Sequence, residues 1–446
     1  MRTFSLIELD PTTFDEFSVG HPQGNFQQSS RMGADRAGRG IEVSYLGVLE
    51  KGARQGMSVP GAQADERLVA ATLFEVYRNG LATFAEIHDG PLADLRDQEL
   101  TSFLFGELKR CAHKAGAAQL EVTPEIPYRV RTSDGEPLPE TGELPAGVPV
   151  GSPRSANDEV IENLRRLGFA HGGFTRGYTA VPRWRYLKDL TGIADEEALL
   201  ASYAKNTKRN VRIAETSGVR VRDIGRDELR IFHALCEMSC EKQGFENHEL
   251  AYYEGLFDAF GDSAEFKVAF IDTTAYLAEW EQKRDGFAAD IAKLERSLAT
   301  ARTPEKVEKK LADVRSKHEA SLKRVESARE LTAVGEQIPA AAAMFAWHPR
   351  ECVYLFSGSD PAYAKFYAAT AIQHRIMVEC LERGCTRYNF YGINGVFDDP
   401  NDPGRGLVEF KQGFNGYVEE MCGSFTLVVR PGLYAAKRLA HKVLGR

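Results

Sequence analysis

Two heptad seams placed back to back constrain this chain more than any other feature. Leu277, Trp280, Phe287, Ile291, Leu294 and Leu298 fall on a and d positions of one register, and Val307, Leu311, Val314, Val325 and Ala328 on those of a second. Apolar residues at that period need a partner helix along their whole length. Only a few residues separate the seams, so each serves as the other's partner and residues 275–336 read as an antiparallel coiled-coil hairpin. Thr303 stands where it can cap the second helix, and Pro304 takes the first helical position, where a missing N–H costs nothing. Residues 277–299 alone span about 35 Å at 1.5 Å per residue, so the hairpin should project as an arm. Arg284 interrupts the first seam, and His318 and Ser321 the second. Lys306, Lys309, Lys310, Lys317, Lys323 and Arg324 alternate with acids on its surface. That pattern reads equally as a solvated coiled-coil face or as a contact for an RNA backbone.

Outside the arm the apolar period switches between two and 3.6. Segments 42–49, 68–77 and 119–123 read as strands and 99–115 as an amphipathic helix. A Pro- and Gly-rich stretch, 124–153, reads as a long surface loop before a helix at 158–167 that Gly168 closes. From Trp184 the order is helix 197–216, strand 219–223, helices 226–241 and 251–260, and strand 266–271. After the arm come strands 340–348 and 352–357, helix 362–383, strand 386–391, helix 407–413, strand 419–429 and helix 432–444. Strand, long helix, strand, loop, helix, Gly-Phe and strand occur around Gly168-Phe169 and again around Gly413-Phe414, which suggests a duplicated α+β unit. The chain has 446 residues, beyond the roughly 250–300 at which single cores split. The division expected is 1–183 and 184–446, with the arm inserted in the second unit.

Composition excludes several classes. A net charge of -8 argues against a protein that coats nucleic acid through bulk positive charge, so a polyanion must meet a local site. Seven cysteines without a Cys-x-x-Cys pair, and no signal peptide or apolar run of about 18 residues, lead to an expected reducing cytoplasmic setting. His233, Cys236 and Cys240 share a helical face but lack a fourth ligand, so no metal is expected. Neither a P-loop nor a dinucleotide fingerprint is present. Lys205, Lys208, Arg209 and Arg212 crowd one helix side, a solvated face or a phosphate site. The terminal helix sets Lys437, Arg438, His441, Lys442 and Arg446 opposite Leu433, Leu439 and Leu444. It reads as a packed helix, with peripheral contact to an anionic membrane face as the alternative.

Three C-terminal motifs carry a resemblance: Tyr354-Leu355-Phe356-Ser357-Gly358-Ser359, Tyr391-Gly392-Ile393-Asn394-Gly395, and Gly406-Leu407-Val408-Glu409-Phe410-Lys411-Gln412-Gly413-Phe414. With the basic helix, they resemble the Fem, or FemABX, peptidyltransferases across nearly the whole second unit. Phe26-Gln27-Gln28-Ser29, Gly33 and Arg36 extend the likeness into the first unit, Arg36 standing where family members often carry lysine.

The resemblance implies an α+β chain of two GNAT-like acyltransferase domains sharing a cleft, with a helical arm in the second. It implies an amine of a lipid-linked or UDP-linked muropeptide precursor attacking the ester of aminoacyl-tRNA, with no cofactor beyond that co-substrate. By the same resemblance Lys411 and Phe410 are the candidate catalytic residues, Lys411 as a fixed positive charge on precursor phosphate or on the oxyanion. Arg36 would pair with diphosphate, and His248, Tyr252, Tyr354, Ser357, Gly358 and Asn394 would line the precursor groove. Gly413 would allow close chain approach, and Lys208, Arg209 and Arg212 would meet phosphates. Thr123 stands where some members carry an acid, so no base is assigned; Glu125 and Glu409 read as surface ion pairs. Transfer to a protein or lipid amine, or a noncatalytic coiled-coil scaffold, are the competing functions.

Overall fold

The computed structural model describes residues 2–79, 82–243 and 246–436. The chain begins β1 (Phe4–Glu8), α1 (Pro11–Gly20), α2 (Ser30–Gly38), β2 (Glu42–Lys51), β3 (Glu66–Asn79), β4 (Ala82–His88), α3 (Gln98–Lys114), β5 (Gln119–Thr123), β6 (Pro127–Arg131), α4 (Asp158–Arg166) and β7 (Ala170–His171). It continues β8 (Trp184–Asp189), α5 (Glu196–Ala201), α6 (Lys205–Thr216), β9 (Val219–Asp223), α7 (Leu229–Gln243), α8 (Leu250–Phe260), β10 (Ala264–Asp272), α9 (Thr273–Leu298) and α10 (Pro304–Val334). The last elements are β11 (Gln337–His348), β12 (Glu351–Ser359), α11 (Ala368–Glu382), β13 (Arg387–Ile393), α12 (Arg405–Gln412), β14 (Tyr417–Met421) and β15 (Phe425–Val428).

These strands form two mixed sheets, ordered β1-β2-β3-β4-β5-β15-β7 and β6-β14-β8-β13-β12-β11-β10-β9. Each contains one parallel pair, β4 with β5 and β12 with β13, bridged by a long helix, α3 and α11 respectively. That repeat is the physical content of the echo between the halves. Each helix has a reason to lie there: Asp97 caps α3 by accepting from Leu100 N, and Leu100, Leu104, Phe105 and Leu108 bury one face. A core containing Phe14, Phe17, Leu73, Phe232, Tyr253, Phe266 and Met344 runs without a break from the first sheet to the second.

The sheets also exchange strands. β6 pairs with β14 in the second sheet, from Arg131↔Val418 to Pro127↔Met421. β15 returns the exchange by inserting between β5 and β7 of the first. This corrects two expectations. Residues 124–153 are not simply a surface loop, because their period-2 segment Pro127–Arg131 buries Tyr128 and Val130. The strand expected at 419–429 is two strands, because Gly423, at φ +85, turns the chain out of one sheet and into the other.

Two helices also break where one was expected. The 197–216 segment stops at Ala201 and restarts at Lys205, and the intervening Ala204 N–H donates to Gly413 O at 3.0 Å. The 362–383 segment opens with a 3-10 turn, Pro361–Phe366, and Tyr367 in the left-handed region at φ 54 separates it from α11. For the terminal segment, residues 431–436 are helical; Lys437, Arg438, Leu439, His441, Lys442, Leu444 and Arg446 lie outside the described residues.

α9 and α10 form the antiparallel arm, 26 and 31 residues long, or about 39 and 46 Å. On α10 the seam is buried at Leu311, Val314, Ser321, Val325 and Ala328, while the α9 seam is half-buried. Ser321 fits there because its Oγ donates to His318 O at 2.6 Å. Arg329 pairs with Glu281 and Arg315 with Glu295 across the helices. Thr303 holds the N-cap position, but its side chain makes no capping bond.

Candidate active site

The parallel pair of the second sheet opens. β12 and β13 are in register only from Glu351↔Arg387 to Val353↔Asn389. β13 then bulges against β8 between Asn389 and Gly392, so Phe390 and Tyr391 belong to neither ladder, and Tyr391 sits at φ 61. Lys411, on α12, supplies the missing donor: its Nζ donates to Phe390 O at 2.8 Å and to Gly392 O at 2.7 Å. The side chain is 2% exposed, and burial lowers its pKa to about 7. The expected fixed charge is therefore a titrating one with two N–H groups already committed.

A second cluster crosses between the halves where α2 lies against α8. Arg36, on α2, holds Glu75 at 3.3 Å, and Arg39 lies over the Tyr252 ring at 4.9 Å. Tyr252 stacks on His248 at 4.0 Å, with Phe356 edge-on to both. Arg39 also pairs with Asp35, so Arg36, His248 and Tyr252 are brought together in one wall of carboxylate-paired guanidiniums and aromatic rings. Glu75 also faces His88, which contacts Glu86 on its other nitrogen at 3.2 Å. Burial opposes charge on His88, but the hydrogen bonds to Glu75 and Glu86 prevail and hold its pKa up at about 9.

Between these clusters a buried ion bridge joins the sheets. Arg185, 2% exposed, donates to Asp89 and to Glu125, each at 2.6 Å. A cavity of about 320 Å³ lies on one side, lined by Glu86, His88, Asp89, Thr123, Arg183 and Arg185. Sequence reasoning missed this bridge, and Glu125 is corrected from a surface pair to a buried one. Burial raises Glu125 to about 8, with Asp89 and Glu351 working against the pull of Arg185. The signal was present in and just before β8, where Arg183, Arg185 and Lys188 all carry charge into a buried segment. Glu409 is a surface pair, with Arg405 at 2.8 Å.

Other expected groove residues do different work. Tyr354 is buried in a core against the second sheet with Tyr186 and Tyr388, stacked on Phe345 at 5.6 Å. A Cβ on Gly358 would fall 2.1 Å from Leu235 O, so that glycine lets α7 approach the sheet rather than lining a groove. Asn394 ties its own loop, donating to Asp402 and accepting from Val396 N. Ser357 is exposed. Gly413 does permit close approach, since a Cβ there would lie 2.3 Å from Thr207 Oγ1. Phe410 packs edge-on to Phe414 at 5.5 Å.

Lys208 donates to Ala201 O at 3.1 Å, while Arg209 and Arg212 are exposed on α6. His233 faces His248 O, and Cys236 and Cys240 are buried, their thiols pushed up by burial. Glu196, Glu215 and His374 bring ligand-type atoms within 4.8 Å, but both His374 nitrogens are engaged, by Tyr203 and Glu196. Among the described residues no helix is long and apolar enough to cross a membrane.

Two mixed sheets, each with a central parallel pair, meeting at a polar seam and carrying an inserted hairpin, make up the α+β architecture that the resemblance to the Fem family implies. The sequence profile of the FemAB family matches residues 9–442, and the chain belongs to that family. It is 27% identical over 445 residues to the aminoacyltransferase FemA of Staphylococcus aureus (strain MW2), covering 98% of each chain. The crystal structure of FemX superposes with a TM-score of 0.74 at 20% identity, over 97% of this chain and 99% of that one, which shows a shared fold.

Proposed function

We propose that the donor is aminoacyl-tRNA and the acceptor an amine on the stem peptide, or its existing branch, of a lipid-linked or UDP-linked muropeptide precursor. The activity itself comes with the family: the chain is an aminoacyltransferase of peptidoglycan interpeptide-bridge formation. In the reaction the neutral amine attacks the ester carbonyl, the C–N bond forms, and the ribose hydroxyl leaves with the proton that the amine gives up. An ordinary lysine-like amine has a pKa near 10.4, so it must lose its proton at the site. No further energy source is needed, because the ester is already activated.

The observation that carries this reading is the wall across the seam, where Arg36 and Arg39 of one unit meet His248 and Tyr252 of the other. Two guanidiniums beside stacked rings suit a diphosphate and its attached sugar. In its protonated form Lys411 keeps one N–H beyond its two carbonyl bonds and would turn it toward the oxyanion, while Phe410 would shape the cleft beside it. Lys208, Arg209 and Arg212 would contact tRNA phosphates from an exposed helix. The division into 1–183, 184–446 and an arm at 275–336 remains our reading of the chain's units. A cytoplasmic enzyme working at the inner membrane face fits these substrates.

The test incubates purified protein with radiolabelled aminoacyl-tRNAs and lipid-linked or UDP-linked muropeptides. Label should pass to the precursor with wild type and fall at least a hundredfold with folded Lys411→Ala or Arg36→Ala. Transfer only to protein or lipid amines, or none to any acceptor, would overturn the reading.

A further inference from the structure

Behind the Arg185 bridge lies a second cavity, of about 480 Å³, lined among others by Asp94, Glu125, Val130, Asn157, Arg387 and Glu419. Glu125, Arg387 and Glu419 line it, and together with Asp89, Glu351 and Arg185 behind them they form an unbalanced buried charge cluster. Asp89, Glu125, Glu351 and Glu419 are all at least nine-tenths buried, and the guanidiniums among them are those of Arg185 and Arg387. Arg185 gives one Nη to Glu125 and the other to Asp89, and neither reaches Glu419. Arg387 spends its best contacts on Glu351, at 2.8 and 2.9 Å, and reaches Glu419 Oε1 only at 3.4 Å and Glu125 Oε1 at 3.6 Å.

Glu419 Oε2 has no partner, although the residue is 5% exposed. An unpaired buried carboxylate oxygen is costly. Counting Glu125 as neutral still leaves three carboxylates for two guanidiniums. The neighbouring His348 does not supply the missing charge, because burial drives it toward its neutral form. On the rim, Arg96 is turned to Glu159 and Asn157. Tyr417, beside Glu419, is likewise held neutral by burial.

We propose that this cavity binds a primary ammonium group, held by Glu419 with Glu125 facing it, and that the substrate amine chemistry enters the seam from this side. Ile126, Pro127, Val130 and Val160 give the same cavity an apolar side for the carbons that carry such a group. Which amine this is rests on the aminoacyl-transfer reading: the α-ammonium of the donor amino acid, or the side-chain ammonium of the acceptor peptide. Neither source changes the recognition, which is by charge and by the unpaired oxygen.

The test is thermal unfolding of the full chain with glycine methyl ester (donor arm), Nα-acetyl-lysine methylamide (acceptor arm), uncharged N-acetylglycine methyl ester, or potassium chloride at matched ionic strength. One or both ammonium compounds should raise Tm saturably, and the one that does identifies the source; the uncharged ester and potassium should not. Glu419→Gln should raise the Tm of the amine-free protein and weaken the ammonium dependence at least tenfold, with Glu419→Asp between. No shift with either ammonium compound, an equal shift with the uncharged ester or potassium, or an unchanged response in Glu419→Gln would overturn the proposal. Because the readout is binding, it can fail while transfer to a muropeptide succeeds, and the reverse.

Discussion

In the first unit β4 and β5 stay in register to their last residues, from Ala85↔Leu120 to His88↔Thr123, whereas in the second β12 and β13 part after Val353↔Asn389. The closed pair is finished locally: Asp89 N donates to Thr123 Oγ1 at 3.2 Å, and Gly90 N to Thr123 O at 3.1 Å. The opened pair is finished from a distance, by Lys411 on another element. The same strand, helix and strand thus yield a closed pair in one copy and an opened pair in the other. What decides between them is whether the strand-end carbonyls find donors in their own ladder.

The strongest way to break that contrast is to part the copies. Residues 1–183 and 184–446 produced separately should each fail to give a soluble, cooperatively melting species by circular dichroism and gel filtration, since each sheet lacks a strand, and co-expression should restore folding. A stable half on its own would mean that the exchange is incidental. Next in size, Lys411→Ala leaves Phe390 O and Gly392 O without their donor and should cost about 3 kcal/mol in urea denaturation. A loss below about 1 kcal/mol would show that the opened pair holds itself.

The pH dependence of stability should separate the two ends by sign. His88 is raised in the folded chain from 6.5 to about 9, so its contribution is complete below pH 6.5 and is lost as pH rises through 9. Lys411 is lowered from 10.5 to about 7, so the unfolded chain binds more protons between those values and stability grows across that window. His88→Gln should remove the falling component and Lys411→Met the rising one, measured by urea midpoints from pH 6 to 10. Identical profiles in both variants would refute the assignment. The smallest effect belongs to Thr123→Val, which removes one bond to Asp89 N and should cost about 1 kcal/mol, with little change at the opened pair.

What the sequence disclosed follows from how local each signal is. The arm was legible because its seam repeats every few residues, and α3 because Asp97 and its apolar stripe are contiguous. The exchange of β6 and β15 was not, because nothing within 127–131 names a partner near 420. Motif residues were found but their packing contacts were not, as at Gly358 against α7 and Asn394 within its own loop. Glu125 was read as exposed because its partner Arg185 lies 60 positions away, and a carboxylate's burial depends on what the fold brings to it.

The strand exchange also has a consequence for the order in which a ribosome delivers this chain. β5 is available near residue 120, but its neighbour β15 is made roughly 300 residues later, about 15 to 60 s at ordinary elongation rates. Until then the first sheet carries an unpaired edge next to β5, and β6 waits as a strand whose own sheet does not yet exist. The nascent chain therefore has to remain soluble with two open edges until residues 417–428 are made, and those residues close both.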